Sequence, residues 1–303
     1  MDSRSTQGLV AAAFVAAVVI GGANFVAVSF SNQELPPFWG AGLRFSLAAV
    51  LFVLVSLALR LPWPRGRTLA LTATYGVFTF ALSYALMYWA LTQMNAGSAA
   101  VVLATVPLVT SLLAAVQRLE ALNRRALLGA VTAFAGIVWM SLEGDGLAIP
   151  LGAVVATLAA SLTIGESIII SKRISENHPA INNAVGMVVG ALLLLILSWA
   201  VGETWSVPTQ QDTIVAVIYL VTVGSVGLFV LTLLVVRRWT ASATAYMFVL
   251  FPVVAMLLDA WLLDAPLTAR GVTGALVVMV SVWFGAFASM PTKPAPTTPG
   301  SFS

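Results

Sequence analysis

Few side chains in this sequence can do chemistry, and their positions narrow what that chemistry is. The chain has one histidine, His178, and no cysteine. Disulfides, thiolate nucleophiles and cysteine metal sites are therefore excluded. His178 sits beside Pro179 with no ligand partners near it in sequence. Acids and bases inside apolar segments are costly in a membrane and are functional candidates by default. Two lie deep enough to matter. Glu166, in SLTIGESIIISKR, stands six residues before Lys172. It can titrate, bind a substrate ammonium, or pair with Lys172 or Arg173. Arg44 is near one end of its apolar segment, where a long side chain can snorkel to the interface. Anchoring and attraction of a carboxylate are both open to it. Asp259 and Asp264 fall at a segment boundary and are expected to be solvated.

Hydroxyls form a second pattern. At about 100° per helical residue, Thr72, Tyr75, Thr79 and Ser83 share one arc, continued by Leu82 and Leu86. Phe78 completes this candidate wall. Hydroxyls beside apolar surface suit a neutral, zwitterionic molecule with a hydrophobic side chain, although Ser and Thr also bond helix to helix in membranes. Tyr84 and Tyr88 point the opposite way, toward a partner helix or lipid. Further along, Ser98, Val101, Val102 and Thr105 share a face. Asn24, with Ala17 and Gly21 on its side, permits close packing and offers both a donor and an acceptor. No paired Asp, Ser/Lys or Ser/His pair, or metal cluster stands out, so an enzyme is not expected. No Walker motif is present either.

The elements that must position these residues follow from composition. The chain is 60% hydrophobic and 8% charged, with a mean hydropathy of +1.01, against about 25% charged residues in a soluble domain. The net charge of +3 reads as membrane topology rather than a nucleic-acid face, because the 14 Lys and Arg sit in short clusters between apolar runs. A bilayer core of about 30 Å needs about 20 helical residues. Ten segments qualify: 9–30, 37–59, 68–91, 96–117, 124–142, 150–171, 180–201, 213–236, 241–262 and 268–288. None shows the strand alternation of a barrel. The expected fold class is thus all-α and integral to the membrane. The first segment is too long for a signal-peptide core and reads as a retained span. Residues 1–8 form a short N-terminus, and the Pro/Thr-rich 291–303 read as a disordered tail.

Twelve of the 14 Lys and Arg fall on one side of this arrangement, with Arg270 opposite and Arg44 inside a span. The positive-inside rule then places both termini in the cytoplasm. Setting Pro107 on Pro252 aligns Ala96–Ala130 with Ala241–Ala275, with 11 identities in 35 positions, Arg125/Arg270 and Gly129/Gly274 among them. The same register sets Val101 against Tyr246. Five spans separate the copies, so the halves 9–142 and 150–288 run in opposite directions. Inverted repeats are a mark of secondary transporters, with substrate near the midplane. Each proline costs roughly 3 kcal/mol inside a helix, and the matched pair reads as two hinges. The nine tryptophans lie mostly near span ends, as an interfacial belt does.

The run NAGSAAVVLATVPLVTSLLAAVQRLEALNRRALLGA and its echo TASATAYMFVLFPVVAMLLDAWLLDAPLTARGVTGA resemble the EamA-type members of the drug/metabolite transporter superfamily. The second copy departs from that pattern at Ala265, where a Glu is usual, with Asp264 beside it. The resemblance covers residues 9–288. It implies ten helices around a central cavity, lined by spans 1, 3, 4, 6, 8 and 9, and export of metabolites, often amino acids. The nearest subgroup is that of bacterial inner-membrane exporters of aromatic and other neutral amino acids, working by alternating access. Drugs, nucleosides or other small metabolites are the alternative cargo, and proton coupling depends on Glu166. The expected cavity residues are Asn24, Thr72, Tyr75, Phe78, Thr79, Leu82, Ser83, Ser98, Val101, Glu166 and Tyr246, with Pro107 and Pro252 as hinges. No cofactor, metal or nucleic acid is expected; the partners are the substrate and the bilayer, around a monomer.

Overall fold

The computed structural model of the chain describes residues 3–119, 124–141, 149–174, 176–238 and 241–287. Everything described is helix, turn or loop. Thirteen α-helices follow one another: α1 Ser3–Asn32, α2 Pro37–Ala58, α3 Gly66–Gly76, α4 Ser83–Ala90, α5 Ala96–Leu103, α6 Val106–Val116, α7 Arg124–Ser141, α8 Leu151–Arg173, α9 Pro179–Ala200, α10 Gln211–Val221, α11 Leu228–Arg238, α12 Ala241–Leu262 and α13 Ala269–Val282. A π-helical turn over Val77–Leu82 joins α3 to α4, another over Thr222–Gly227 joins α10 to α11, and a third, Trp283–Phe287, extends α13. Seven of the resulting rods are long and apolar enough to cross a membrane, and three shorter apolar stretches lie at Leu127–Trp139, Met247–Leu262 and Ala269–Gly285. Each of the ten segments read from the sequence coincides with one of these. The expected tail, 291–303, and Glu120 to Asn123 lie outside the described residues.

Local sequence explains the boundaries. Pro37 and Pro179 occupy the first turns of α2 and α9, where a missing N–H costs nothing. Asn95 caps α5 by accepting from Ser98 N, and Thr268 caps α13 by accepting from Gly271 N. Helix α9 ends at Gly202 with φ +77°, and Glu203 N reaches back to Ser198 O. Arg60 and Arg118 close α2 and α6 the same way at φ 49° and 57°, with Leu61 N on Ser56 O and Leu119 N on Ala114 O.

Side chains are sorted as hydrocarbon requires. On α2, Leu47, Val50, Leu54 and Leu57 are exposed, while Arg44, Phe45 and Ser56 are buried. In water this inversion would be unstable; in lipid the polar groups must turn inward. One large core joins α1, α2, α4, α5, α8, α9, α10 and α12. A second, with Val101, Leu108, Ile137 and Val278, joins α5 to α7 and α13.

The two halves repeat in most of their elements. The π-turns begin at Val77 and Thr222 and end at Leu82 and Gly227, each pair 145 positions apart. Pro107 and Pro252 have the same spacing. The packing repeats too: α1 lies on α12 and on α10/α11, as α8 lies on α5/α6 and on α3/α4. The pairs α2 with α9 and α7 with α13 join equivalent helices of the two halves.

Candidate functional site

The second π-turn organises a polar cluster in the interior. A π-turn inserts an extra residue and leaves a carbonyl outside the regular ladder. At Thr222–Gly227, Gly224 O accepts from Asn24 Nδ2 at 3.0 Å and from Arg44 Nη2 at 3.1 Å. Glycine lets Asn24 approach this closely, since a Cβ would stand 2.2 Å from Asn24 Oδ1 and push that side chain aside. Arg44 Nε donates to Ser225 Oγ at 3.1 Å, and Nη1 lies 3.5 Å from the Tyr88 hydroxyl. Ser225 Oγ in turn donates to Leu220 O at 2.8 Å.

Arg44 is therefore not an interfacial anchor. It is 1% exposed, and its guanidinium lies 5.1 Å and 5.2 Å from the Phe45 and Tyr84 ring centroids. Snorkelling fails because the side chain finds acceptors and ring faces inside the bundle instead. Tyr84 and Tyr88 accordingly face α2, the partner helix, rather than lipid. Asn24, Ser31, Asn32 and Thr79 each hold a buried side-chain oxygen without a partner. Asn32 Nδ2 donates to Tyr88 O at 2.9 Å, so Asn32 belongs to the same neighbourhood.

Rings from both halves meet beside this network. Phe80, in the first π-turn, packs edge-on against Phe45, Tyr75 and Phe229 at 5.2, 5.9 and 5.7 Å, and Phe45 meets Tyr84 at 4.5 Å. Gly186 and Gly190, four apart on α9, receive Phe80: a Cβ on Gly190 would lie 2.3 Å from Phe80 Cβ. This is the small-xxx-small groove of membrane helices.

The same π-turn changes the hydroxyl stripe, which assumes regular helix throughout. Across the extra residue the faces shift by about 100°. Ser83 is buried and donates to Thr79 O, whereas Leu82 is exposed. Tyr75 and Phe78 are half-buried and Thr72 fully buried. Thr72 Oγ1 donates to Thr68 O and accepts from Asn177 Nδ2 at 3.3 Å, which ties it to the loop before α9.

The remaining candidates are dispersed. Val101 is fully buried in the α5–α7–α13 core. Ser98 lines a recess with Asn95, Gly97, Met256, Asp259 and Thr268. Glu166 Oε2 accepts from Gln117 Nε2 at 2.6 Å, so a neutral amide on α6's end is its partner rather than Lys172 or Arg173. Tyr246 belongs to α12, but its side chain lies outside the described residues. Pro107 occupies the first turn of α6, after a break at Ala104–Thr105, whereas Pro252 lies inside the uninterrupted α12. The matched prolines thus act differently on their helices.

Three carboxylates tie the halves together at helix N-termini, which none of the sequence patterns signals. Asp259 is 3% exposed, not solvated, and accepts from Gly97 N at 2.9 Å in the first turn of α5. Glu203 accepts from Phe38 N and Trp39 N at 3.1 and 2.7 Å, next to the Trp39–Trp205 stack at 4.8 Å. Glu34 accepts from the hydroxyl and N–H of Thr209 and from Gln210 N, at 2.5, 2.7 and 3.1 Å. The Thr209 hydroxyl, with the two amides, holds Glu34 below the ordinary carboxylate value of 4.5. Partial positive charge at the helix N-termini suits all three acids.

Comparison with known proteins adds the relationships. The EamA-like transporter family matches residues 8–142 and 151–286, one copy in each half. The "Probable amino-acid metabolite efflux pump" of Salmonella typhimurium is 28% identical over 283 residues, covering 89% of this chain and 92% of that protein. The "Uncharacterized inner membrane transporter YedA" of Escherichia coli K12 is 29% identical, covering 89% and 90%. A solved crystal structure of another protein, at 18% identity, superposes with a TM-score of 0.64 over 95% of this chain and 98% of its own, which shows a shared fold.

Proposed function

For a chain that belongs to the EamA-like transporter family, we propose export of neutral amino acids, aromatic and other hydrophobic ones included. The protein is multi-pass and resides in the inner membrane. The reading comprises ten crossings, both termini in the cytoplasm, two inverted repeats and alternating access. The 12-to-1 distribution of Lys and Arg in the connections and at the span ends supports the orientation. The matching π-turns, and packing relations that exchange with the halves, support the repeat.

The observation that carries the substrate class is the ring cluster. Phe45, Tyr75 and Tyr84 of the first half gather around Phe80, which meets Phe229 of the second, and Arg44 links the Phe45 and Tyr84 rings to Ser225 and to the carbonyl that Asn24 holds. Apolar walls with a few convergent polar groups suit a small ligand with a hydrophobic side chain. The efflux-pump relative is named for amino-acid metabolites, which agrees. Phosphorylated cargo would call for several buried cations, and Arg44 is the fully buried one among the described residues. Pro107 and Pro252 are the proposed bend points, and Asn24, Thr72, Tyr75, Phe78, Thr79, Leu82, Ser83, Ser98, Val101, Glu166 and Tyr246 the proposed lining. Glu166, bonded to a neutral amide and without a relay of further acids, favours facilitated transport.

Purified protein in liposomes should exchange radiolabelled phenylalanine for unlabelled hydrophobic amino acids, equally with and without a pH gradient. Flux of a lipophilic cation with none of a broad amino-acid panel would reject this substrate class. Gradient-driven flux that disappears in Glu166→Gln would replace facilitation with proton coupling.

A further inference from the structure

Arg44 holds a full positive charge inside the bundle, and among the described residues none of its bonds goes to an acid. Its three acceptors are the Ser225 hydroxyl, the Gly224 carbonyl and, at 3.5 Å, the Tyr88 hydroxyl. A guanidinium has five N–H donors in a planar fork, so two remain unused and a third is stretched. Burying an unpaired charge is among the costliest arrangements in a protein, and more so in a membrane. Ring faces of Phe45 and Tyr84 offset part of that cost. A structural role alone, pinning one carbonyl, needs no charge, because Asn24 Nδ2 already holds Gly224 O at 3.0 Å.

We infer that Arg44 is the receptor for the substrate's carboxylate. This rests on the amino-acid reading above and adds the recognition site. A carboxylate matches the guanidinium fork with two parallel bonds. The two unused N–H groups lie one on each terminal nitrogen, because Nε serves Ser225, Nη2 serves Gly224 and Nη1 reaches Tyr88. A carboxylate can take both while Arg44, from the first half, keeps its ties to the π-turn of the second. The unpartnered Oδ1 of Asn24, whose amide already bonds Gly224 O in this network, is an acceptor open to a substrate ammonium.

The test is competition against labelled phenylalanine in proteoliposomes, using two unlabelled probes. Hydrocinnamate keeps the ring and carboxylate but lacks the ammonium; phenylalaninamide keeps the ring and ammonium but lacks the carboxylate. Hydrocinnamate is expected to compete at least tenfold better than the amide, and in Arg44→Gln that preference collapses together with phenylalanine uptake. Arg44→Lys should recover part of the preference, since it restores charge without the fork. Phenylalanine transport with equal competition by the two probes overturns the carboxylate site and leaves the amino-acid reading standing. The reverse case is also separable. Arg44-dependent uptake of labelled hydrocinnamate, with no amino acid moved, overturns the amino-acid reading and keeps the anion site. If one variant fails to fold the other carries the assignment to Arg44, equal competition in the wild type still overturns the carboxylate site, and no binding of any of the three overturns both.

Discussion

Replacing Gly190 with alanine tests whether the first π-turn is seated as described. A Cβ at Gly190 would lie 2.3 Å from Phe80 Cβ and 3.2 Å from both Phe80 Cα and carbonyl carbon. Carbon atoms rest at about 3.5–4.0 Å, so the closest contact is more than an ångström too short. Rotating the Phe80 ring relieves nothing, because the clash involves its Cβ and its backbone. Helix α9 and the π-turn must separate, and overpacking of this kind costs about 1–3 kcal/mol. At about 2 °C per kcal/mol for a large chain, the melting temperature in detergent should fall by roughly 2–6 °C. Phenylalanine affinity should weaken with it, because Phe80 links the rings of Phe45, Tyr75 and Phe229. Gly227→Ala supplies the contrast within the other π-turn. There the nearest atoms to an added Cβ are at 3.6 and 4.0 Å, so the melt should be unchanged or higher, helical alanine being favoured over glycine by about 1 kcal/mol. Differential scanning fluorimetry of the two variants and wild type gives the answer. An unchanged melt for Gly190→Ala, or an equal loss for Gly227→Ala, would refute the seating.

Three further outcomes follow from the geometry. Asp259→Ala strands the buried Gly97 N–H and should cost about 1–3 kcal/mol, read as an earlier thermal melt; Asp259→Asn keeps an acceptor and should lose less. Glu34 is held below 4.5 in the folded chain, so its contribution is complete above that value and disappears as pH falls through the lower, folded one. Amide-exchange protection of Thr209 and Gln210 should therefore persist at neutral pH and fade only in acid, while Glu34→Gln removes the pH dependence. Pro252→Ala restores a bond within α12 and should raise stability, whereas Pro107→Ala, in a first helical turn, should leave it nearly unchanged. Both should alter transport rate more than protein yield, and identical rates would reduce the prolines to packing features.

What the sequence made legible was periodic or repeated. Apolar runs read from the sequence overlap the seven long rods and the three shorter apolar helices of the described residues, and the register that pairs Pro107 with Pro252 is the one the first two π-turns follow. The π-turns themselves were invisible, since an inserted residue leaves apolar composition unchanged; Gly224 and Gly227 are the faint local sign. Their phase shift is why the stripe from Thr72 to Ser83 divides, with Ser83 buried beside an exposed Leu82. Arg44 was misplaced for a different reason. Distance from a segment end predicts where a side chain can reach, but not that Gly224, Ser225 and Tyr88 wait on the inner side. Asp259 and Glu203 depend on partners more than 160 positions away, a pairing that no local pattern encodes.

The direction and identity of cargo are tested most directly in cells. Bacteria lacking their own aromatic exporters, fed a phenylalanine-containing dipeptide, accumulate the free amino acid inside. Expression of this chain should lower the internal pool and raise external phenylalanine at a matching rate, with Arg44→Gln close to the empty vector. An internal pool that stays unchanged or rises, at verified membrane expression, would contradict amino-acid export.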